Sequence, residues 1–517
     1  MTLGRAPTHE DLYRSTRELC ESRLPERSIF RLLAAKAHEL FRDDAFADLY
    51  VENGRPSISP RIVSVVMALQ RYSGMSDREA VDAFAFDARW KYAAGALDFD
   101  FPGFVHTVLV EMRARLRQSE RPNRVFEAVI DAAREAGWIG PKRVLDSTAL
   151  YDAVATQDTV TLVRSALVKL LEAVDADLGA QMRATFERDD EYRKMGKPTC
   201  DRDDEKAREA LINALAKDAF RALWAVHGRA LDPSARQAAE LLATVVGQDI
   251  ERREDGVFRI LRGVAEDRVI SVVDPEARHG HKTAARGFDG YKGHISVDPE
   301  SELIVATEVT AGNVGDAVPA AAMLEEALQA PKSLPADESV EIYGDSSYGT
   351  ADLVEHIEAA GAEANVKVQP PSAKKGHFSQ DAFTIDTDAK TVTCPAGQLV
   401  QIRLNKDGSG TAEFGAHCGL CQMRAQCTDA ASGRTVRIHP KHKTLARSRA
   451  RQRDPAWKQR YRSTRPKIER KFGHLMRRKH GARRARVRGR LRVAQDFAWL
   501  AVAVNLARMA VLAATGS

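Results

Sequence analysis

Apolar residues recur at intervals of three and four through the first quarter of the chain. Pro60 stands where proline fits the first turn of a helix, and Ser76 stands where a serine can cap one. The spacing predicts five helices, over residues 32–41, 60–72, 77–86, 105–116 and 125–136. Residues 1–138 are therefore predicted to form a helical domain, which suits a DNA-binding module as well as any other small helical unit.

The apolar pattern changes in the middle of the chain. A short strand is predicted to end in Asp146, and a helical pattern rich in Glu, Arg, Ala and Leu returns from 155 to 250. This stretch is interpreted as a helical insertion, at about 153–255, within a larger unit that spans 139–369.

From Arg268 onward, apolar residues alternate with polar ones, as they do in strands. The pattern predicts a helix from Val318 to Ala330 and a second helix that Thr350 caps. It predicts strands at 269–273, 291–297, 303–309, 339–343 and 364–368, of which the second and third form a hairpin. A strand, a helix and a strand in succession imply a parallel pair, so the predicted fold class is α/β with a mixed sheet.

The last third of the chain divides into a turn-rich part and a basic helical part. Residues 370–440 hold four of the six cysteines, and residues 441–517 are predicted to be helical after Pro455. The apolar stretch 497–514 is interrupted by polar residues and falls short of the roughly 20 apolar residues that a membrane span needs. A buried helix is predicted there. With no secretory signal in view, a cytoplasmic protein without a membrane partner is expected.

Positive charge is concentrated near the end of the chain. Between Lys441 and Arg492 there are 22 Lys and Arg residues against two acids, Asp454 and Glu469, whereas the whole chain has a net charge of +6. The rest of the chain is therefore acidic, and the basic segment suits the neutralisation of nucleic-acid phosphates. The Arg-rich residues 477–492 are predicted to become ordered only on DNA.

Three acids have a pattern that suits divalent metal ions. Asp146 and Asp345 each follow a predicted strand, and Glu469 lies on a predicted helix. Strand ends in α/β sheets gather functional groups, and carboxylate oxygens suit Mg²⁺ or Mn²⁺. Taken singly, each Asp is better explained as a turn or cap residue, and Glu469 as a surface partner of Arg465. Only the combination is specific.

Four segments resemble motifs of the DDE transposases of bacterial insertion sequences. They are Val144-Leu145-Asp146-Ser147-Thr148, Gly290-Tyr291-Lys292-Gly293-His294 with Thr310-Ala311-Gly312-Asn313, Tyr343-Gly344-Asp345-Ser346-Ser347-Tyr348, and the helical set Tyr461, Arg465 and Glu469. Residues 53–117 resemble the N-terminal helical module of that family. The likeness spans most of the chain, and the order of the motifs is more specific than any one of them.

The resemblance implies a ribonuclease-H-like core in which Asp146, Asp345 and Glu469 are catalytic and hold Mg²⁺ or Mn²⁺. Such an enzyme cuts DNA at the ends of its mobile element and joins the freed 3′ ends to target DNA. No covalent protein–DNA intermediate is implied. The expected partners are element-end and target DNA, with a homodimer on paired ends, in the bacterial cytoplasm at the nucleoid.

The resemblance also assigns DNA contacts. Arg465 and Tyr461 belong to the helical signature, whose lysine is replaced here by Met476, so Arg477 or Arg478 is expected to reach the same phosphate.

A further basic group lies near the predicted hairpin. Lys292 belongs to it, and just upstream lie Arg278, His279, His281 and Lys282. The group suits DNA contact and a solvated basic loop equally well. Asn313 and Asp316 are interpreted as turn and helix-cap residues.

The cysteines predict a structural zinc site. Cys418, Cys421 and Cys427 have the spacing of a zinc knuckle, and Cys394 supplies a fourth ligand, with nearby histidines as substitutes. A Zn²⁺ ion would organise residues 370–440, which are otherwise poor in core. The alternative is that reduced thiols pack there as small hydrophobic groups.

Two other functions fit the same sequence: a DNA-binding repressor without catalysis, and a nuclease that cuts without joining strands. All three would bind DNA in a salt-sensitive manner. A repressor does not need the acids, and a nuclease gives nicks without joined product. The intact set of acids in one reading frame favours the transposase.

Overall fold

The fold is given by a computed structural model of the full chain. It describes residues 1–5, 16–152, 156–188, 192–193, 195–201, 203–283, 286–329, 338–477 and 480–516.

Helices dominate both ends of the chain and the segment after the first strand. Within the described ranges they are α1 (Thr16–Arg23), α2 (Ile29–Leu40), α3 (Pro60–Ser73), α4 (Asp77–Phe86), α5 (Ala88–Ala93), α6 (Thr107–Gln118), α7 (Arg124–Glu135), α8 (Thr159–Ala173), α9 (Ala176–Ala184), α10 (Glu205–Val226), α11 (Pro233–Asp249), α12 (Ala320–Gln329), α13 (Ala351–Ala359), α14 (His442–Arg451), α15 (Pro455–Thr464), α16 (Pro466–Leu475) and α17 (Arg490–Thr515). The predicted starts at Pro60 and Ser76 are confirmed, and Ser76 forms a reciprocal capping box with Glu79.

In the part of the chain that the structure describes, the strands form one large sheet and three small ones. Their bounds are β1 (Lys142–Tyr151), β2 (Ile250–Arg252), β3 (Phe258–Ile260), β4 (Arg278–Thr283), β5 (Arg286–Val297), β6 (Ile304–Ala311), β7 (Glu341–Gly344), β8 (Glu363–Val366), β9 (Thr384–Asp386), β10 (Thr391–Thr393), β11 (Leu399–Gln401), β12 (Arg403–Leu404), β13 (Gly410–Glu413) and β14 (Thr435–Ile438). The large sheet has the order β4-β5-β1-β7-β8, with β6 also paired to β5.

Strand directions in the large sheet are mixed. β5 runs antiparallel to β1, β4 and β6, whereas β7 runs parallel to both β1 and β8. The predicted hairpin and the predicted parallel pair around the Thr350-capped helix are therefore confirmed. The chain is mixed α/β, as the sequence predicts.

Two strand predictions are wrong. Residues 269–273 form no strand, because Val269 and Val272 pack into the core of the helices α8–α11. The strand predicted to end at Asp146 continues to Tyr151, because β5 pairs with it over that whole length. Asp146 therefore lies inside β1.

The two faces of the large sheet bury different helices. Val144 and Tyr343 face a core that includes α16, α17 and the N-terminal helices, whereas Leu145 and Ile342 face α12 and α13. Alternate residues of a strand point to opposite faces, so this division assigns every side chain of β1 and β7 to one side.

Helix α17 lies in the core beneath the sheet. It packs on β6 and on the helices α2, α3 and α7. Its 26 residues are long and apolar enough to cross a membrane, so the expectation that this segment is too short is wrong. The prediction of a buried helix is confirmed, because 72% of its most apolar window is buried within the protein, as in the core helix of a soluble protein.

Candidate active site

The register of β1 and β7 places two acids level with each other. Val144 lies opposite Tyr343 in this parallel pair, so two further residues along each chain lead to Asp146 and Asp345. Each acid lies two residues after Val144 or Tyr343, and residues two apart in a strand point to the same face. Both acids therefore point to the face that is covered by the C-terminal helices. Asp345 follows the last residue of β7, Gly344, as the sequence predicts.

Arg465 stands at the junction of α15 and α16, and its guanidinium group meets all three predicted acids. Nη2 lies 2.8 Å from Oδ2 of Asp146 and 3.8 Å from Oδ2 of Asp345. Nη1 lies 3.9 Å from Oε1 of Glu469, one helical turn further along α16. The structure thus brings Asp146, Asp345 and Glu469 together around one cation.

The three acids differ in their exposure to solvent. The side chain of Asp146 is 15% exposed, that of Asp345 40%, and that of Glu469 66%, whereas Arg465 is 9% exposed. Each Asp also uses one oxygen locally: Oδ1 of Asp146 accepts the Ser147 N–H, and Oδ1 of Asp345 accepts the Ser347 N–H, both at 2.8 Å. The second oxygen of each Asp faces the guanidinium group.

Burial and charge act in opposite directions at this cluster. Burial raises the pKa of Asp146, and the nearby Arg465 only partly offsets that effect. Burial alone would lower the pKa of Arg465, but the charge and the hydrogen bond of Asp146 outweigh it and raise the pKa. The buried pair therefore depends on its mutual contact to remain ionised.

The carboxylate oxygens of the three acids suit a hard divalent cation, although the guanidinium group of Arg465 lies between them. Over the described part of the chain, no group of three or more His, Cys, Asp or Glu residues is arranged to hold a metal ion. Carboxylate oxygens are nevertheless the donors that Mg²⁺ and Mn²⁺ prefer. Nε and Nη1 of Arg465 are buried without a hydrogen-bond partner, so the guanidinium group is only partly satisfied in this position.

Tyr461 packs in the interior beside the cluster. Its ring stacks on Trp457, with centroids 4.9 Å apart, and its hydroxyl group donates to the Gly344 carbonyl at 3.1 Å. These contacts tie α15 to the end of β7, one residue before Asp345. The DNA-binding role of Tyr461 stays a prediction.

Asp316 binds Ser147, which points to the opposite face of β1 from Asp146, and sequence reasoning missed its contacts. Its Oδ2 accepts the Ser147 hydroxyl at 2.7 Å, and its Oδ1 accepts the Lys292 ammonium at 2.8 Å. It does not cap the helix that follows, because α12 begins at Ala320. Only the position of Ser147 beside Asp146 could have pointed to it. Lys292 is thus already paired, and its predicted contact with DNA is untested.

The basic residues upstream of Lys292 lie on β4 and not in a loop. Arg278 pairs with Asp267 at 2.7 Å, and Nδ1 of His279 lies 2.7 Å from Oδ1 of Asp289. Asn313 donates to Asp267. Part of this group is therefore neutralised within the protein.

The Arg-rich segment follows a defined path over residues 480–492, contrary to the prediction of order only on DNA. The Tyr151 N–H donates to the Arg483 carbonyl, and the Ala485 N–H donates to the Tyr151 carbonyl, which docks the segment on the end of β1. Arg477 is exposed, whereas Arg478 lies outside the described residues. The segment also interrupts the predicted C-terminal helices between α16 and α17.

The four clustered cysteines line one small cavity among turns and short strands. They are free thiols, and Cys418 and Cys427 are buried in an apolar cluster with Phe383 and Phe414. Burial raises the pKa of Cys427, and the Arg434 charge opposes this while the other three cysteines add to it. Four thiols are the donor types of a tetrahedral zinc site, but among the described residues they are not arranged to hold a metal ion, and the predicted Zn²⁺ is untested.

Two segments of the chain match family models. Residues 393–510 match a model described as Transposase DDE domain, and residues 18–115 match one described as Transposase domain (DUF772). The chain carries the domains of a DDE transposase. The resemblance found in the sequence is thereby confirmed, and the function is that of a transposase in general terms. No curated protein and no solved structure matches the chain.

The matches cover only part of the acid cluster. Glu469 and Arg465 lie inside the matched DDE domain, whereas Asp146 and Asp345 lie outside both matched segments. The link between these two Asp residues and Glu469 therefore rests on the geometry around Arg465.

Proposed function

We propose that this transposase binds the ends of its mobile element, cuts the DNA there and joins the freed ends to target DNA. The cut transfers a phosphoryl group to water and releases a 3′ hydroxyl group on the element. In the joining step that hydroxyl group attacks a target phosphorus and displaces a 3′ hydroxyl group of the target. The convergence of Asp146, Asp345 and Glu469 on one buried cation carries the proposal.

The strand order and directions of the large sheet support a ribonuclease-H-like core for this chemistry. Asp146 is fixed inside a strand, Asp345 by its turn, and the exposed Glu469 closes the set from α16. Mg²⁺ or Mn²⁺ held by these acids would stabilise the charge on the attacking and leaving oxygens. The protein's own part is to hold the carboxylates at fixed positions beside the scissile phosphate.

DNA binding is assigned to several regions. In this proposal residues 1–138 bind the element end, the core of 139–369 and 441–517 holds the scissile strand, and a homodimer pairs two ends. Exposed arginines of the segment docked on β1 supply phosphate contacts. We also propose that Cys394, Cys418, Cys421 and Cys427 hold a structural Zn²⁺ that organises residues 370–440.

The decisive experiment incubates the full chain with labelled DNA from the two flanks of its own gene and Mg²⁺, and resolves the strands on a gel. A transposase gives nicked ends and joined products. Nicks without joined product would indicate a nuclease, and binding without either product would indicate a repressor. Each of these two outcomes contradicts the proposal.

A matched pair of variants separates the acid cluster from general charge effects. Glu469 and Glu300 are similarly exposed, at 66% and 67%, and each contacts a basic residue of the C-terminal helices. Glu469→Gln should lower both cutting and joining by about a hundredfold or more, since one ligand of the metal is lost. Glu300→Gln should leave both near the wild-type level. Equal activity of the two variants would remove Glu469 from the site.

A further inference from the structure

The position of Arg465 raises a question that the proposed function leaves open. Its guanidinium group lies among the three carboxylates that are proposed to hold a metal ion, within 2.8 to 3.9 Å of an oxygen of each. Two of its nitrogen atoms are buried without a hydrogen-bond partner. Its contact with Asp146 is the shortest of the three, and the other two acids lie 3.8 to 3.9 Å away, so the group is held mainly by charge.

Three carboxylates in one cluster repel one another, and the most buried of them cannot rely on water. A counter-charge is needed for them to stay together before any metal ion arrives, and Arg465 supplies it. A divalent cation bound to the same oxygens would lie within a few ångströms of the guanidinium group. The two cations would then repel each other, so each weakens the binding of the other to the acids.

We propose that Arg465 is an internal counter-ion that competes with the divalent metal for Asp146, Asp345 and Glu469. Arg465 is in this sense a positioning residue, and the inference rests on the proposed function of the acids. Metal binding requires the guanidinium group to leave the cluster, and a displaced guanidinium group needs another anion.

A DNA phosphate can supply this anion. Guanidinium groups bind phosphate through paired hydrogen bonds that are stronger than those between neutral groups. A phosphate that draws Arg465 away from the acids thereby favours metal binding, and the linkage is reciprocal. The free protein should consequently hold divalent metal weakly, and DNA should tighten the binding.

The test measures Mn²⁺ binding to the full chain by the electron paramagnetic resonance signal of the free ion, with no DNA present. Arg465→Gln removes the charge and keeps a polar side chain, and it should bind Mn²⁺ on the order of ten to a hundred times more tightly than the wild type. A short duplex should tighten Mn²⁺ binding in the wild type and much less in the variant. Arg470→Gln is the control, because Arg470 lies on the same helix but pairs with Glu302.

Three further variants separate the possible failures. Asp146→Asn added to Arg465→Gln should abolish the tightened site; if the site persists, the acids are not its ligands and the proposed function fails as well. If Arg465→Gln binds Mn²⁺ no more tightly than the wild type, while Asp146→Asn still weakens binding, only the competition is refuted. Should Arg465→Gln fail to fold, as judged by circular dichroism, Arg465→Lys carries the test. Its shorter reach should give an intermediate gain in affinity, and a loss would overturn the inference.

Discussion

The acid cluster and the cysteine cluster were both predicted to bind metal, yet they are built on opposite principles. The acids come from a strand, a strand end and a helix that are far apart in the chain, and they meet around the charge of Arg465. The cysteines come from neighbouring turns, and they meet around a small cavity with Phe383 and Phe414.

The difference follows from the chemistry of the two groups. A carboxylate that must stay ionised needs a cation nearby at all times, whether or not a metal ion is present. A buried thiol can stay neutral with no cation beside it, because burial raises its pKa, as it does for Cys427. The acid cluster thus carries its own substitute for a metal ion, whereas neutral thiols need no such substitute before a metal ion binds.

The largest expected effect is on the acid cluster. Asp146→Asn keeps the shape of the side chain and removes the charge at the centre of the site, so strand cutting should fall by about a thousandfold or more. Arg465 loses its closest partner but keeps two acids beside it, so the fold should persist and the thermal midpoint should fall by several degrees. Gel assays of cutting and thermal unfolding measure the two effects.

Asp352→Asn is the matched control, because Asp352 is an exposed acid that pairs with Lys441 on the far side of the sheet. It should retain full activity. A large loss of stability in Asp146→Asn with activity retained would reverse the assignment and make Asp146 a structural residue.

The next effect concerns the cysteine cluster, where a substitution should affect metal content and stability rather than catalysis. Protein purified under reducing conditions without chelator should contain about one zinc per chain, and Cys421→Ser should lose nearly all of it and unfold at a lower temperature. Cys200→Ser should keep the metal, because Cys200 lies outside the cluster. If the wild-type protein held no zinc, the four cysteines would be explained as neutral thiols that pack as small hydrophobic groups.

The acid cluster was predictable from sequence because its motifs combine local strand and helix patterns with acids at fixed places. Apart from the Arg465–Glu469 contact, which their spacing of four residues suggested, the sequence did not predict the contact partners of the charged side chains. Arg465 was expected to bind phosphate, and Lys292 to face DNA or solvent, whereas both are engaged by acids of the same chain. Pairing across such distances depends on the packing of elements, which no local pattern encodes.

The strand errors have the same origin. Val269 and Val272 fit a strand by pattern, but a neighbouring helical core buries them instead. The Arg-rich segment appeared too charged to be ordered, yet it is held by backbone hydrogen bonds to Tyr151, which do not depend on its side chains. Tertiary context overrode local preference in each case.

Positive charge extends the comparison to DNA binding. In the cysteine region, Arg424 and Arg434 donate to backbone carbonyl groups, whereas Arg483, Arg484 and Arg488 are exposed and form no ion pair with any residue that the structure describes. The last three are thus available to phosphates. The triple substitution to Gln should lower the slope of log affinity against log salt by about 2 to 3, and the affinity itself by about tenfold or more at low salt.

Substitution is preferable to deletion here, since deletion would also remove the backbone contacts with β1. Arg134→Gln is the control, because Arg134 is exposed but already pairs with Asp131 and Glu326. A salt titration of DNA binding gives both slopes. An unchanged slope in the triple variant would show that the segment does not contact the phosphates.

The smallest effect tests the claim that burial keeps a titratable group neutral, as argued above for the Cys427 thiol. Burial lowers the pKa of His294 to about 4, and the neutral ring is hydrogen-bonded to Thr310 at 2.9 Å. The unfolded chain takes up this proton near pH 6.5. Between pH 6.5 and pH 4 the unfolded state therefore binds more protons than the folded state, and the free energy of unfolding decreases as the pH falls.

That loss amounts to roughly 2 kcal/mol by pH 5. His294→Gln retains a polar partner for Thr310 but cannot be protonated, so it should lose less stability than the wild type as the pH falls from 7 to 5. The difference between their thermal midpoints should shift by a few degrees in favour of the variant. His38→Gln, at an exposed position on α2, should follow the wild type throughout. Parallel curves for His294→Gln and the wild type would mean that the folded protein does not hold the buried imidazole neutral. Burial alone would then not explain why the thiols stay neutral while the acids need a cation.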